Sequence, residues 1–377
     1  MTSGLANISV TMPYWNYIRT KEVLSTLEQL ERIPKRSRGH RLPCFTPDYQ
    51  KLVAIASGAL QRSHTMSSIT RITWALLGLV VLLQPVLGVP MADILPRADA
   101  TTCNGRSEYC WRSYSNVTFV GSHDSPFVGD LPQQNQNIDI TAQLNMGIRF
   151  LQAQTHHSLL NDKVLELCHT SCLLEDAGTL KSFLGTVKTF LDANVNEVVT
   201  LLLTNGDSVD ITKFGSTFSS SGIDSYAFVP SSNPLPIGDW PTIGELISSG
   251  KRLVVFLDYG ADTSKVDYIL DEFAYYFETA YDVTDSSFSS CSIDRPSGAS
   301  ASGRMYIVNH FLDVDILGVK VPDRGTASTT NAATGKGSIG AQAAECDALY
   351  NRAPNAVLLD FVDKGNVIEA QNDLNGF

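Results

Sequence analysis

From residue 103 onward, short apolar runs alternate with stretches whose apolar residues recur at helical spacing. "NVTFVGS" and "GIRFLQAQ" are rich in branched and aromatic residues and end in polar ones, so both read as strands. Within residues 175–194, Leu180, Phe183, Leu184, Val187 and Leu191 fall at helical spacing. A strand "EVVTLLLT" follows, then a helix near "TIGELISSG", a strand "KRLVVFLDYG" and a helix over "KVDYILDEFAYYFETA". A strand "RMYIVNHF", a helix near "GAQAAECDALYNR" and a strand "NAVLLDFV" complete the series. Nearly continuous apolar strands alternating with helices predict an α/β fold whose parallel sheet is covered on both faces. It is either doubly wound or closed as a TIM-type (β/α) barrel. No Gly-x-Gly-x-x-Gly follows the first strand, which weakens the dinucleotide-binding version. No internal repeat is evident, and the low-complexity stretch 325–340 reads as a loop.

Polar residues collect where these strands end: His123-Asp124, Gln152 and Gln154 with His156-His157, Asn205 and Asp207, Asp258, Asn309-His310, and Asp360. One such residue is ordinarily a solvated loop or a helix cap. Six strands ending this way point to a shared polar pocket, because barrel chemistry gathers at the C-terminal strand ends. His169 lies in "LCHTSC", after the stretch "HHSLLNDKVLELCH" that forms a hairpin beside the second strand. A disulfide across that loop would fix its imidazole at the barrel mouth. Two imidazoles there, one a base and one an acid, suit phosphodiester cleavage near neutral pH.

Charge divides the chain. The 377 residues are 43% hydrophobic, enough for a substantial core, with a formal net charge of −11. Residues 1–88 carry ten Lys/Arg against four Asp/Glu, so the remainder carries −17. The boundary is "MSSITRITWALLGLVVLLQPVLGVP": Arg71, an apolar run from Trp74 to Leu83, and the small-residue site Val86-Leu87-Gly88 make residues 66–88 a secretory signal peptide. Residues 1–65 then read as a non-native or disordered upstream extension, with Met66 as the working start. The alternative is a signal anchor with a basic cytoplasmic tail, but the run is short for a span and Gln84-Pro85 interrupts it. Six cysteines follow the signal and one, Cys44, precedes it. An even number in an exported chain suggests disulfides; fifteen pairings exist, and sequence proximity favours Cys103–Cys110, Cys168–Cys172 and Cys291–Cys346. Asn116-Val-Thr is a glycosylation sequon. The acidic balance argues against nucleic acid as partner, since phosphate backbones demand Lys/Arg neutralisation.

"GSHDSPF", "GIRFLQAQTH", "LELCHTSC", "NEVVTLLLTNGD" and "AVLLDFVDKGN", in this order, resemble the secreted fungal phospholipase C-like phosphodiesterases. They are similar more distantly to the X domain of bacterial phosphatidylinositol-specific phospholipase C. The resemblance covers about residues 103–375, making 103–377 one barrel domain, and it implies a TIM-type barrel. It further implies His123 as general base, His169 as general acid, Asp360 as the carboxylate that orients His123, and Asp124 as support for His169. The chain departs from the pattern in the second strand. Bacterial enzymes place a phosphate-binding arginine there and calcium-dependent relatives a metal-ligating carboxylate, whereas this chain has Gln152 and Gln154. Arg149 has odd spacing from Gln152, so alternation turns it to the other face. His156 or His157 stands in for the missing cation, and Asn205 and Asp258 occupy inositol-binding positions where basic residues are expected.

The expected function is therefore a secreted, monomeric phosphoric diester hydrolase of phospholipid metabolism. Its substrate would be a phospholipid or a small phosphodiester, met with peripheral membrane contact and without a cofactor; Gln152, Gln154, His156, Asn205 and Asp258 would bind it. Calcium is disfavoured, because Asp124 and Asp360 are both assigned to histidines. Two alternatives stand beside it: a catalytically weak barrel that binds phosphorylated ligands or glycans, and a calcium-assisted glycerophosphodiester phosphodiesterase.

Overall fold

The computed structural model describes residues 101–377; the expected extension 1–65, the signal segment 66–88 and Cys44 lie outside them. In chain order the strands are β1 (Phe119–Ser122), β2 (Phe150–His157), β3 (Leu165–Cys168), β4 (Asp176–Thr179), β5 (Val199–Thr204), β6 (Leu253–Leu257), β7 (Ile269–Asp271), β8 (Tyr276–Glu278), β9 (Met305–Asn309), β10 (Asp313–Ile316), β11 (Val319–Pro322) and β12 (Ala356–Leu359). The helices are α1 (Ile140–Met146), α2 (Leu180–Ala193), α3 (Ile211–Ser221), α4 (Ile243–Ser248), α5 (Glu272–Tyr275), α6 (Ala327–Thr330), α7 (Ile339–Tyr350) and α8 (Val367–Leu374). Strands pair in the order β7-β6-β5-β2-β1-β12-β9-β8, every neighbouring pair parallel. This is the expected TIM-type (β/α) barrel, left open along one seam: among the described residues no ladder joins β7 to β8.

The barrel forms because each of these eight parallel strands carries apolar residues on both faces. In β5, Leu201 and Leu203 pack outward with the helices, while Leu202 packs into the barrel with Phe150, Phe256 and Leu358. Side chains that alternate about the strand thus feed two cores, one inside the ring and one beneath the helical layer. Gly121 of β1 faces the crowded interior, where an added Cβ would lie 2.8 Å from Leu358 Cδ2 and 2.9 Å from the Phe150 carbonyl oxygen.

Two expected helices are corrected. The segment 265–280 is β7, the four-residue α5 and β8. Its burial alternates in the strand manner: Ile269 and Phe277 pack in the outer core and Leu270 and Tyr276 in the inner one, so both faces are buried. The predicted helix 175–194 begins only at Leu180, where the Thr179 side chain accepts from the Ser182 N–H; Asp176–Thr179 is β4. That strand pairs with β3, which pairs with the end of β2, so the expected hairpin is a three-stranded extension at the barrel mouth. The loop predicted over 325–340 contains the short α6. The three cysteine pairs favoured by proximity are the disulfides observed.

Candidate active site

β1 and β12 run side by side with Ser122 opposite Leu359, so the residues one step beyond each strand, His123 and Asp360, meet. The His123 Nδ1 lies 2.9 Å from Asp360 Oδ1. Asn135 Nδ2 donates to the same oxygen at 3.0 Å, and the His123 ring stacks on Phe311 at 3.7 Å and 3°. Backbone ties complete the seat: the His123 N–H donates to the Leu359 carbonyl, and its own carbonyl accepts from Gln136 Nε2. The imidazole therefore has one face packed, one nitrogen held, and the other nitrogen directed toward Asp124, whose Oδ2 is 3.5 Å from Nε2.

Asp124 Oδ2 also sits 3.2 Å from His169 Nε2 and accepts from Gln154 Nε2 at 2.8 Å. One carboxylate oxygen thus joins both histidines. Asp124 is fully buried, and its Oδ1 is among the buried oxygens without a hydrogen-bond partner, as is Asp360 Oδ2. Buried carboxylates in this condition are tolerable only beside cationic partners. Burial alone would pull the His123 pKa down, but the Asp124 and Asp360 carboxylates outweigh it and push it up to about 9. His169 is also raised, its burial overcome by the hydrogen bond and charge of Asp124. Burial would raise Asp124, yet the two histidines hold it below the usual carboxylate range.

The backbone at these residues is strained. Asp124, Thr170 and Phe361, which follow His123, His169 and Asp360 respectively, have φ of 45°, 62° and 49°. Left-handed conformations in ordinary residues persist where the surroundings over-determine them. Here each N–H is held: Asp124 donates to Gln152 Oε1, Thr170 to Gln154 Oε1 and Phe361 to the Asn135 carbonyl.

Beside His123 opens a cavity of about 250 Å³, lined by Gln152, Gln154, Asp258, Glu278, Arg295 and Phe311 among others. Gln152 and Asp258 reach it as expected. Gln154 reaches it too, but both ends of its amide are engaged, one by Asp124 and one by Thr170, so it braces the His169 loop. Asn205 does not bind there: its side chain donates to the Val209 and Tyr259 carbonyls and accepts from the Val209 N–H, closing a turn. His156 is paired with Asp207 at 3.3 Å and lies outside the lining. His310 is fully buried between Gln342 and the Thr330 carbonyl, and burial pulls its pKa down. Arg149 bonds Glu197 away from the cavity, on the face that alternation predicts.

The second strand brings Gln152 and Gln154 to the pocket in place of an arginine, but a guanidinium that sequence reasoning missed reaches it from another segment, that of Arg295. It arrives in the loop after β8 through an antiparallel bridge with Glu278, whose N–H donates to the Arg295 carbonyl at 2.8 Å. Its guanidinium grips Glu278 through Nε, at 2.9 Å, and Nη2, and lies 4.7 Å from the Tyr281 ring centroid. Burial and the neighbouring Glu278 raise Glu272 well above the usual carboxylate range, and burial pushes Asp258 up to about 6. No strand-end pattern flags Arg295, since it lies 17 residues beyond the last residue of β8; the weak signal is "DRPSG", a charged residue at a turn.

Residues 109–375 match the family described as "PI-PLC X 1". The chain is 53% identical to PI-PLC X domain-containing protein 1 of Arthroderma benhamiae over 292 residues, covering 77% of this chain and 95% of that one. It is 45% identical to a protein of the same organism described as an uncharacterized secreted protein, over 70% of this chain and 61% of that one. Among solved structures, the phosphatidylinositol-specific phospholipase C of Listeria monocytogenes superposes with a TM-score of 0.47 at 12% identity, covering 70% of this chain and 94% of that one. On the match of residues 109–375 and the identity to its relatives, the chain belongs to the PI-PLC X domain family.

Proposed function

We propose that this protein is a secreted, monomeric phosphoric diester hydrolase that acts on a phospholipid or related phosphodiester by histidine acid–base catalysis. The observation that carries the reading is the chain Asp360–His123–Asp124–His169, two imidazoles on one buried carboxylate at the barrel mouth. His123 takes the proton of a substrate hydroxyl, whose oxygen attacks phosphorus. The bond from phosphorus to the leaving oxygen breaks as His169 delivers a proton to it, and water then opens a cyclic phosphate with the two roles reversed. Asp360 accepts from Nδ1 and so leaves Nε2 as the basic nitrogen, as the carboxylate of a serine-protease triad does. Gln152, whose Oε1 is taken by the Asp124 N–H, has its NH₂ to offer phosphoryl oxygens. Arg295 adds a guanidinium to the same cavity.

His123→Ala and His169→Ala test this. Each is expected to lower turnover of a soluble phosphodiester by ~10²–10⁴-fold with the fold retained. Folded variants working at the wild-type rate refute it. A second reading, a weak barrel that binds phosphorylated ligands, is favoured by the neutralisation of Arg295 by Glu278. It predicts ligand binding by a wild type with no turnover across a panel of phosphodiesters. Export is supported by three disulfides and a relative described as secreted. Secreted material should begin just after Gly88, and a start before Thr73 refutes cleavage.

A further inference from the structure

A cavity of about 370 Å³ opens at the end of the barrel opposite the mouth, since its walls include residues 112–118 and 352–355, which precede β1 and β12. The walls are tied to one another. Ser115 Oγ donates to the Ile237 carbonyl at 2.7 Å, Thr118 Oγ1 to the Pro354 carbonyl at 2.6 Å, and Asn355 Nδ2 to the Ser115 carbonyl at 2.6 Å. These bonds shape the cavity before any ligand arrives, so filling it costs little ordering. Two guanidiniums line it. Arg112 lies 4.6 Å from the Phe377 ring centroid and donates to the Asn375 carbonyl at 2.6 Å. Arg352 lies 4.9 Å from the Tyr306 ring centroid and donates to the Ala301 carbonyl and the Asn355 side chain, both at 3.3 Å. The arginine ion pairs among the described residues take Arg106, Arg149 and Arg295 and leave these two as hydrogen-bond donors without a carboxylate.

Asn116 lines the same cavity, is exposed, and makes no side-chain hydrogen bond among the described residues. It is also the acceptor of the sequon Asn116-Val-Thr. Attachment forms a bond from Asn116 Nδ2 to the anomeric carbon of the sugar; the diphosphate of the glycosyl donor leaves and the amide proton is lost to base. A sugar so tethered stands at the rim of a preformed polar cavity at an effective concentration on the order of millimolar, enough to fill even a weak seat. N-acetylglucosamine has the matching chemistry. It is uncharged, its hydroxyl and acetamide oxygens can accept from Arg112 and Arg352, and its apolar ring face suits Ile237 and Pro354. We propose that this cavity is the seat of the chain's own glycan: the first N-acetylglucosamine on Asn116 folds back into it and braces the end of the barrel remote from the site. The proposal rests on the export proposed above, because such glycans are added in the secretory pathway.

The test uses the full chain secreted from a eukaryotic host, with mass spectrometry expected to find a glycan on Asn116. Gly238 lines the cavity, and an added Cβ there meets no heavy atom within 4 Å, so Gly238→Leu can fill the seat without a clash. Peptide N-glycosidase should release the glycan from the native wild type about 10-fold more slowly than from native Gly238→Leu, the deficit of a seat occupied about nine-tenths of the time. A second measurement needs no variant: hydrogen exchange of the 237–239 amides should be slower before the glycan is removed than after. Equal release from the two proteins, with 237–239 exchange unaltered by the glycan, overturns the inference. Exported protein unmodified at Asn116 overturns it too and leaves the export and hydrolase readings standing, whereas a chain retained in the cell overturns export with it. If inorganic phosphate slows 237–239 exchange in the stripped protein and the glycan does not, the cavity belongs to an anion and the inference is equally overturned.

Discussion

Asp360→Asn isolates the part of the site on which the reading depends most. The rise of His123 from its ordinary 6.5 to about 9 corresponds to roughly 3 kcal/mol of extra stabilisation of the imidazolium. Asp124 and Asp360 share that effect, and of the two carboxylates it is Asp360 that touches Nδ1. An amide at position 360 removes one of the two charges, and its NH₂ donates where the carboxylate accepts. His123 then carries its proton on Nε2, the nitrogen that must be basic. Turnover of a soluble phosphodiester should fall by ~10²–10⁴-fold, with KM changed little, since Asp360 does not line the cavity.

The pH dependence supplies a second readout. His123 must be neutral to act as base, so wild-type kcat/KM should climb on the alkaline side of an ordinary histidine, toward about 9. The stability linkage has the opposite slope. A folded-state pKa above the unfolded value contributes stability that is fully present below 6.5 and lost as pH rises through about 9, so the melting temperature should fall across that window. In Asp360→Asn both midpoints should move to lower pH. An Asp360→Asn protein with wild-type turnover and an unmoved profile would refute the reasoning.

Reducing Cys168–Cys172, or replacing Cys172 by Ser, should depress turnover well before it unfolds the barrel. A bridge of sequence separation 4 constrains the unfolded chain by only about 2 kcal/mol, a few degrees of melting temperature, while it holds the His169 loop. Turnover should persist in EDTA, because Asp124 and Asp360 are held by the histidines and Glu278 by Arg295; loss restored by calcium would move Asp124 to metal ligation. Asn116 is exposed, next to the start of β1 and so away from the mouth, and should carry a glycan: Asn116→Gln should remove an endoglycosidase-sensitive mass while turnover holds.

The fold was legible wherever burial is two-sided and long. β5, β6, β9 and β12 are continuous apolar runs, and their parallel pairing follows from that pattern. It failed at 265–280, where two three-residue strands and one helical turn place apolar residues at intervals that also fit a helix. The hairpin of β10 and β11 escaped because its apolar residues face outward, and pattern reading assumes that they face a core. At the site, His123, Asp124 and Asp360 were visible because they end strands, and a strand end has a fixed place in a barrel. Arg295 was not, because a loop residue is placed by a single backbone bridge to Glu278 that leaves no periodic trace. Asn205 was misread for the converse reason: a strand-end position says where a side chain starts, while its use is decided by the carbonyls of Val209 and Tyr259.

The charge arrangement explains how a site without a second-strand arginine remains coherent. Asp124 raises both histidines and Asp360 raises His123 further, so two carboxylates balance the two imidazoles beside the cavity. On the proposed reading a phosphodiester anion would meet the protonated imidazole of the acid, His169, while on β2 Gln152 and Gln154 fix the Asp124 backbone and the His169 loop. Arg295 cannot serve as a free charge while it grips Glu278, and burial together with that same Glu278 raises Glu272 beside them. On the proposed reading the half of the cavity at His123 would take the phosphoryl group, and the half at Glu278 the uncharged or hydrogen-bonding remainder of the substrate.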